Sequence, residues 1–239
     1  PVREGAPGGD DWLFARPAEA APDAAGGEVP SPVERLRVGD LRLLGQVLAT
    51  YLVVEGKEGV LLIDQHAAHE RVLYERLRAA WLEGGVERQP LLVPLTVELE
   101  PAQAAVLAAE REALAPLGFE VDAFDASTAV VRAIPALLSG RDPAALLRGL
   151  VDELAQGGSL GDPEGGTDPS AVRHLEAADR VFASMACHSA RRAGDALEPR
   201  EQRALLDSLD TIPWAPTCPH GRPVAVPMSL TEIERRFGR

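Results

Sequence analysis

Several residue types that would signal common functions are scarce or missing. Lys57 is the only lysine among 239 residues, so basic charge rests almost wholly on arginine. Lysine and arginine total 24 against 37 aspartates and glutamates, a formal net charge of -13. That surplus argues against a strong autonomous grip on nucleic acid, because such affinity comes largely from neutralising phosphates. No apolar run approaches the length of a membrane span. The opening residues are Pro, Gly, Ala and acids, which is not a secretory signal. No Gly-rich phosphate loop follows a strand, so an ATPase within this chain is not expected. His69-Glu70 invites a metalloprotease H-E-x-x-H reading, but position 73 is leucine and the second histidine is missing.

What is present is concentrated. The two cysteines and four of the five histidines fall in three short segments. The first is Asp64 to Glu75, with His66 and His69. The second is Ala186-Cys187-His188, and the third is Cys218-Pro219-His220-Gly221-Arg222-Pro223. Two cysteines in such settings favour thiolate ligands in a reducing compartment over a disulfide. The apolar run Gly59 to Ile63 reads as a buried strand. Helical spacing of Ala67, Val72, Leu73, Leu77 and Trp81 follows it. His66 and Glu70, four apart, share one helix face, and Asp64 stands just ahead of the first turn. A carboxylate, an imidazole and a second carboxylate there form half of a metal site. In extended backbone Cys218 and His220 leave on one side of the chain. Alone, Cys187 reads as a small buried hydrophobe and the Cys-x-His pair is a weak metal signal. Joined to His66 and Glu70 they become a strong one. Thiolate and imidazole favour Zn²⁺, whereas carboxylates also accept Mn²⁺ or Mg²⁺.

Together these segments resemble the C-terminal domain of the mismatch-repair protein MutL in its endonuclease-bearing form. The nuclease signature D-Q-H-A-x-x-E-x-x-x-x-E is matched from Asp64 through Glu75. An A-C-R-like element is matched with His188 in its third place, C-P-H-G-R-P is matched throughout, and the chain ends Phe237-Gly238-Arg239. The resemblance runs from about Val38 to the C-terminus. It implies a metal-dependent endonuclease that nicks duplex DNA in mismatch repair. Asp64, His66 and Glu70 would be catalytic, and Asp64, His66, Glu70, Cys187, Cys218 and His220 would share the metals. Zn²⁺ would be structural or regulatory, and Mn²⁺ or Mg²⁺ catalytic. Glu75, half a turn from the His66 face, would support the site from behind its ligands or serve the fold. Arg222 is expected beside a phosphate or a structural carboxylate, and Arg239 is expected to complete the site.

The same resemblance implies a homodimer, cytoplasmic and associated with the nucleoid, with duplex DNA, the replicative sliding clamp and the mismatch-recognition protein MutS as partners. ATP would act only through an N-terminal ATPase outside this chain; the lack of an initiator methionine is read as a sign of a fragment. By its residues Gln89-Pro90-Leu91-Leu92-Val93-Pro94 is a proline-flanked edge strand. The resemblance makes it a clamp-docking peptide carried by Gln89, Leu91, Leu92 and Pro94. From a different class, the alternative is a non-catalytic homodimerisation and clamp-docking module with a structural zinc.

Residues 1–35, rich in Pro, Ala and Gly, read as a disordered linker, with Trp12-Leu13-Phe14 as incidental apolar content or, alternatively, a short docking motif. A strand is expected over Leu41–Val54 with an irregularity at Gly45, then a turn at Glu55–Gly59. Helices are expected at Pro101–Pro116, Asp142–Gln156, from Pro169 to about Arg192, and at Pro199–Leu209. Strands are expected at Phe119–Phe124, Ala129–Ile134 and Val224–Met228. Gly157–Asp168 reads as an exposed loop. The expected architecture is α+β with two subdomains. A dimerisation and endonuclease part takes 36–95 and 168–239, and an external regulatory part takes 96–167.

Overall fold

The computed structural model describes residues 37–157, 169–189, 196–213 and 217–239. The linker reading, Trp12-Leu13-Phe14, the expected loop from 158 to 168 and Arg191-Arg192 lie outside the described residues, as do the side chains of His174 and His188. The elements in chain order are β1 (Arg42–Val47), β2 (Tyr51–Gly56), β3 (Gly59–Asp64), α1 (Gln65–Leu82), β4 (Arg88–Glu98), α2 (Pro101–Leu114), β5 (Glu120–Ala123), β6 (Thr128–Pro135) and α3 (Pro143–Gly157). Then follow α4 (Pro169–Ser189), α5 (Pro199–Leu209), β7 (Ala225–Ser229) and α6 (Leu230–Arg236). The fold is α+β, with two small antiparallel sheets packed by helices. Two compact units divide it: the first takes the described residues within 1–65, 193–217 and 223–239, the second those within 66–192 and 218–222.

The first unit is built on the sheet β1-β2-β3-β7. Alternation works here as period-two burial requires. Leu52, Val54, Leu61 and Ile63 are fully buried on one face, and Leu52 opposes Ile63 as Val54 opposes Leu61. The other face carries Tyr51, Val53, Leu62 and Val226, with Tyr51 and Val226 well exposed. The single strand expected over Leu41–Val54 is in fact two. The chain reverses at Leu48 and Ala49, both left-handed with φ of 54° and 48°. No Gly or Asn marks that turn, which is why the residues did not announce it. It is held by the Gln65 side chain, whose Nε2 donates to the Ala49 carbonyl at 3.0 Å, and by Thr50 Oγ1 donating to Leu48 at 2.9 Å. The irregularity expected at Gly45 is a register shift between Leu43 and Gly45.

Gly59 opens β3 at φ 153°, where a Cβ would stand 2.2 Å from the Met228 carbonyl oxygen; only glycine lets β3 and β7 approach this closely. α5 buries Leu205, Leu206 and Leu209, and begins with a capping box between Glu198 and Glu201. From its C-terminal end Asp210 accepts the N–H groups of Val38 and Gly39 at 2.8 and 2.7 Å, while Arg203 donates to the Gly39 carbonyl at 2.6 Å. These bonds satisfy a short turn that has no sheet partner of its own.

The second unit has the sheet order β4-β6-β5, covered by helices. Its core joins Leu77 of α1, Leu107 and Leu114 of α2, Val131 of β6, Leu147 and Leu150 of α3, and Phe182 and Met185 of α4. Trp81 meets Phe182 edge-on, centroids 5.7 Å apart, a pairing worth ~0.5–1.5 kcal/mol beyond burial. α2 starts on Pro101 behind a Glu100–Gln103 capping box, and Asp142 Oδ1 accepts the Ala144 N–H at 2.9 Å to start α3. Among the described residues no helix is long and apolar enough to cross a membrane.

Candidate metal centre

The second unit brings the sequence-distant ligand candidates together. Glu70 lies on the second turn of α1 and is 1% exposed. A carboxylate taken so far out of water needs compensation. Two imidazoles supply part of it: His66 Nε2 is 3.1 Å from Glu70 Oε1, and His220 Nδ1 is 3.4 Å from Glu70 Oε2. The helix repeat puts His66 one turn before Glu70, whereas His220 arrives from the Cys218–Arg222 turn. That turn is closed by two backbone bonds, Cys218 N–H to the Arg222 carbonyl at 2.8 Å and Gly221 N–H to the Cys218 carbonyl at 2.9 Å. Gly221 takes φ 82°, the left-handed conformation that glycine enters without strain.

Glu70, Cys218 and His220 each offer a ligand atom within 4.8 Å of the others, which among the described residues is the one such convergence of three. Cys218 is buried, and that burial pushes its thiol above its ordinary pKa, opposed by backbone hydrogen bonds at His220 and Arg222. Cys187 is on α4, exposed as a residue but with its thiol beside Glu70. Burial, then the Glu70 charge, pushes that thiol up, and Arg222 pulls it down. One thiol, one imidazole and one carboxylate form a donor set that fits a divalent cation of borderline softness. His66 and Cys187 flank the same carboxylate.

The remaining sequence candidates each have local surroundings of their own. Asp64 closes β3 in the first unit, its N–H donating to Val224 at 2.9 Å. Glu75 forms a largely buried ion pair with Arg71, whose guanidinium lies 5.3 Å from the Tyr74 ring centre. Arg239 is exposed in the first unit, with its N–H on the Glu234 carbonyl at 3.0 Å. Gln89, Leu92 and Pro94 are exposed on β4, the edge strand of its sheet, and Leu92 is 100% exposed. Leu91 instead packs against the core. The register with β6 breaks between Pro90 and Leu95, so Leu91 to Pro94 lie outside the paired ladder.

A feature not read from the sequence lies beside the cluster. A cavity of about 300 Å³ is lined by Glu153, Arg180, Ala183, Ser184, Cys187, Pro219 and His220. Its signal was available in part: Arg180, Ala183, Ser184 and Cys187 follow the i, i+3, i+4, i+7 spacing of one helix face. Glu153, from another helix, had none.

Comparison with known proteins gives this α+β chain a family. Residues 44–197 match the family described as the MutL C terminal dimerisation domain. DNA mismatch repair protein MutL of Phenylobacterium zucineum is 43% identical over 194 residues, which cover 81% of this chain and 29% of that protein. The Caulobacter vibrioides protein of the same name is 41% identical over the same shares. The one from Anaeromyxobacter dehalogenans is 43% identical over 232 residues, 95% of this chain and 36% of that protein. The chain belongs to the MutL C-terminal dimerisation domain family, and spans 29% to 36% of the length of these relatives.

Proposed function

We propose that the chain is the metal-dependent endonuclease domain of a mismatch-repair MutL protein, nicking duplex DNA. The observation that carries this reading is the convergence of Glu70, Cys218 and His220, with His66 on the other oxygen of Glu70, directly after the Asp64-Gln65-His66 junction. Cys218, His220 and Glu70 would hold Zn²⁺, with His66 and Cys187 available at the rim and Asp64 directed to a catalytic Mn²⁺ or Mg²⁺. When bound, such a cation supplies an acidified water and neutralises charge building on the phosphate oxygens. Buried Glu70 keeps both imidazoles oriented, because each of its oxygens has a different histidine. Of the three converging donors Cys218 and Glu70 are buried, and His220 stays open to water. Glu75 is paired with Arg71 and would serve the site from behind its ligands or the fold.

The domain would act as a homodimer, in the cytoplasm at the nucleoid, together with the sliding clamp, MutS and an ATP-binding N-terminal part of the same protein. Residues 36–95 and 168–239 would carry dimerisation and catalysis, and 96–167 regulation. The apolar outer face of the first sheet, with Val47, Tyr51 and Val226 open, suits a second copy of the chain. The unpaired Leu91–Pro94 stretch on an edge strand suits a docking peptide.

The test is nicking of supercoiled plasmid with Mn²⁺, comparing the chain with Asp64→Asn. Open circles from the parent alone are expected. A second reading, a non-catalytic dimerisation module with structural zinc, is favoured by one observation: two of the three converging donors, Cys218 and Glu70, are buried, as in closed structural sites. No nicking by a folded, Zn²⁺-loaded parent, alone or within the full-length protein, would select it.

A further inference from the structure

We propose that the cavity beside the ligand cluster is a subsite for the phosphodiester backbone next to the scissile phosphate, and that Arg180 is its positioning residue. The inference rests on the nuclease reading above and adds to it where the strand lies. α4 presents Arg180, Ala183, Ser184 and Cys187 along one wall, and Pro219 and His220 close the end nearest the ligands. Arg180 and Cys187 stand seven residues apart, about 10 Å along the helix. Between them the wall holds only alanine and serine, so nothing bulky interrupts the path. At about 300 Å³ the space is at the lower end for small-molecule sites, the size of one nucleotide unit and far from that of a folded partner.

Charge fits the same occupant. In a chain of formal charge -13, the cavity beside the metal candidates has a guanidinium on its wall, and guanidinium is suited to bidentate hold of a phosphate. Glu153 of α3 also lines the cavity and pairs with Arg180, Nε to Oε1 at 3.4 Å. Both side chains are partly open to water, at 44% and 26% exposure, and an ion pair of that kind contributes little. A phosphate would compete with Glu153 for Arg180. Glu153 therefore lowers affinity for the strand while keeping the guanidinium pointed into the cavity. Opposite signs for two residues of one ion pair distinguish this role from a structural one.

The experiment measures binding of a thirty-base-pair duplex to the 239-residue chain across a salt series, alongside plasmid nicking with Mn²⁺, for the parent, Arg180→Gln and Glu153→Gln. Arg180→Gln is expected to weaken binding about tenfold and to reduce the slope of log affinity against log salt by about 0.9, one phosphate contact. Its nicking defect is expected in KM, with kcat kept. Glu153→Gln is expected to tighten binding. Arg180→Lys is expected to recover the salt slope but only part of the affinity. Equal loss in the Arg180→Gln and Glu153→Gln variants, or an unchanged salt slope, would overturn the subsite, as would a parent that binds no duplex. Loss of nicking in Glu153→Gln with a weakened Mn²⁺ requirement curve would also overturn it, making Glu153 a metal ligand. Binding that behaves as expected in a parent that nicks neither alone nor within the full-length protein sinks the nuclease reading and leaves Arg180 as a contact to the duplex backbone only.

Discussion

Glu70 Oε2 lies 3.4 Å from His220 Nδ1, across 150 positions of sequence. The pair ties the second turn of α1 to the Cys218–Arg222 turn, and the buried carboxylate makes the contact costly to break without a replacement. Around it the ligand set is ordered by reach: Cys218 completes the convergence, while His66 and Cys187 stand at its edges.

Removal of a central donor separates from removal of an edge one. Cys218→Ser is expected to lower Zn²⁺ affinity by more than the roughly 10–100-fold typical of losing an outer partner, and His66→Ala to fall within that range. Competition with a chromophoric chelator measures both. Equal effects would show that the convergence of Glu70, Cys218 and His220 does not define the site.

Gly59→Ala places a methyl group 2.2 Å from the Met228 carbonyl oxygen. The strand pair must part or the backbone must leave its φ of 153°, for a loss of about 1–3 kcal/mol. A urea midpoint shifted down with unchanged slope is expected; an unshifted midpoint would show that β7 adapts freely.

Tyr74 is pushed up to about 12, first by burial and then by its hydrogen bond to Asp179, whose charge acts in the same direction. The folded state thus keeps a proton that the unfolded chain releases near the ordinary value of 10.0. The stabilisation is whole below about pH 10 and is lost as pH rises toward 12. With Tyr51→Phe leaving one tyrosine, tyrosinate absorbance should rise with a midpoint near 12. A midpoint near 10.0 would mean that Tyr74 is solvated.

Val226→Asp puts a charge on the open apolar face of the first sheet, directly across from Leu62. If that face seats a second copy, light scattering should find the parent dimeric and the variant monomeric at micromolar concentration. A variant that stays dimeric places the contact elsewhere.

Leu92 has no intramolecular packing to lose, being 100% exposed. Leu92→Ala should therefore leave thermal stability unchanged while weakening capture by a loaded sliding clamp about tenfold or more. Leu91→Ala should cost stability as well, since Leu91 packs against the core. Unchanged clamp capture in Leu92→Ala would remove the docking role from β4.

Much of this molecule was legible before any coordinates. Local rules sufficed for α1, with its Ala67 and Leu77 periodicity, for α2 and α3 with their prolines and Asp142, and for the edge position of β4. Those rules act between residues a few positions apart, and the chain contains their terms directly. The left-handed turn at Leu48-Ala49 was not legible, because side chains with no preference for it are held there by Gln65, a residue 16 positions away from Ala49. The types of the candidate ligands were likewise visible, since thiols and imidazoles gathered in three segments suit a metal. Which of them meet was decided by tertiary structure: burial of Glu70, the closed turn at Cys218 and the packing of α1 and α4 set distances that no spacing encodes. The pairing of Arg180 with Glu153 belongs to that second class, because it exists only where α3 and α4 pack together.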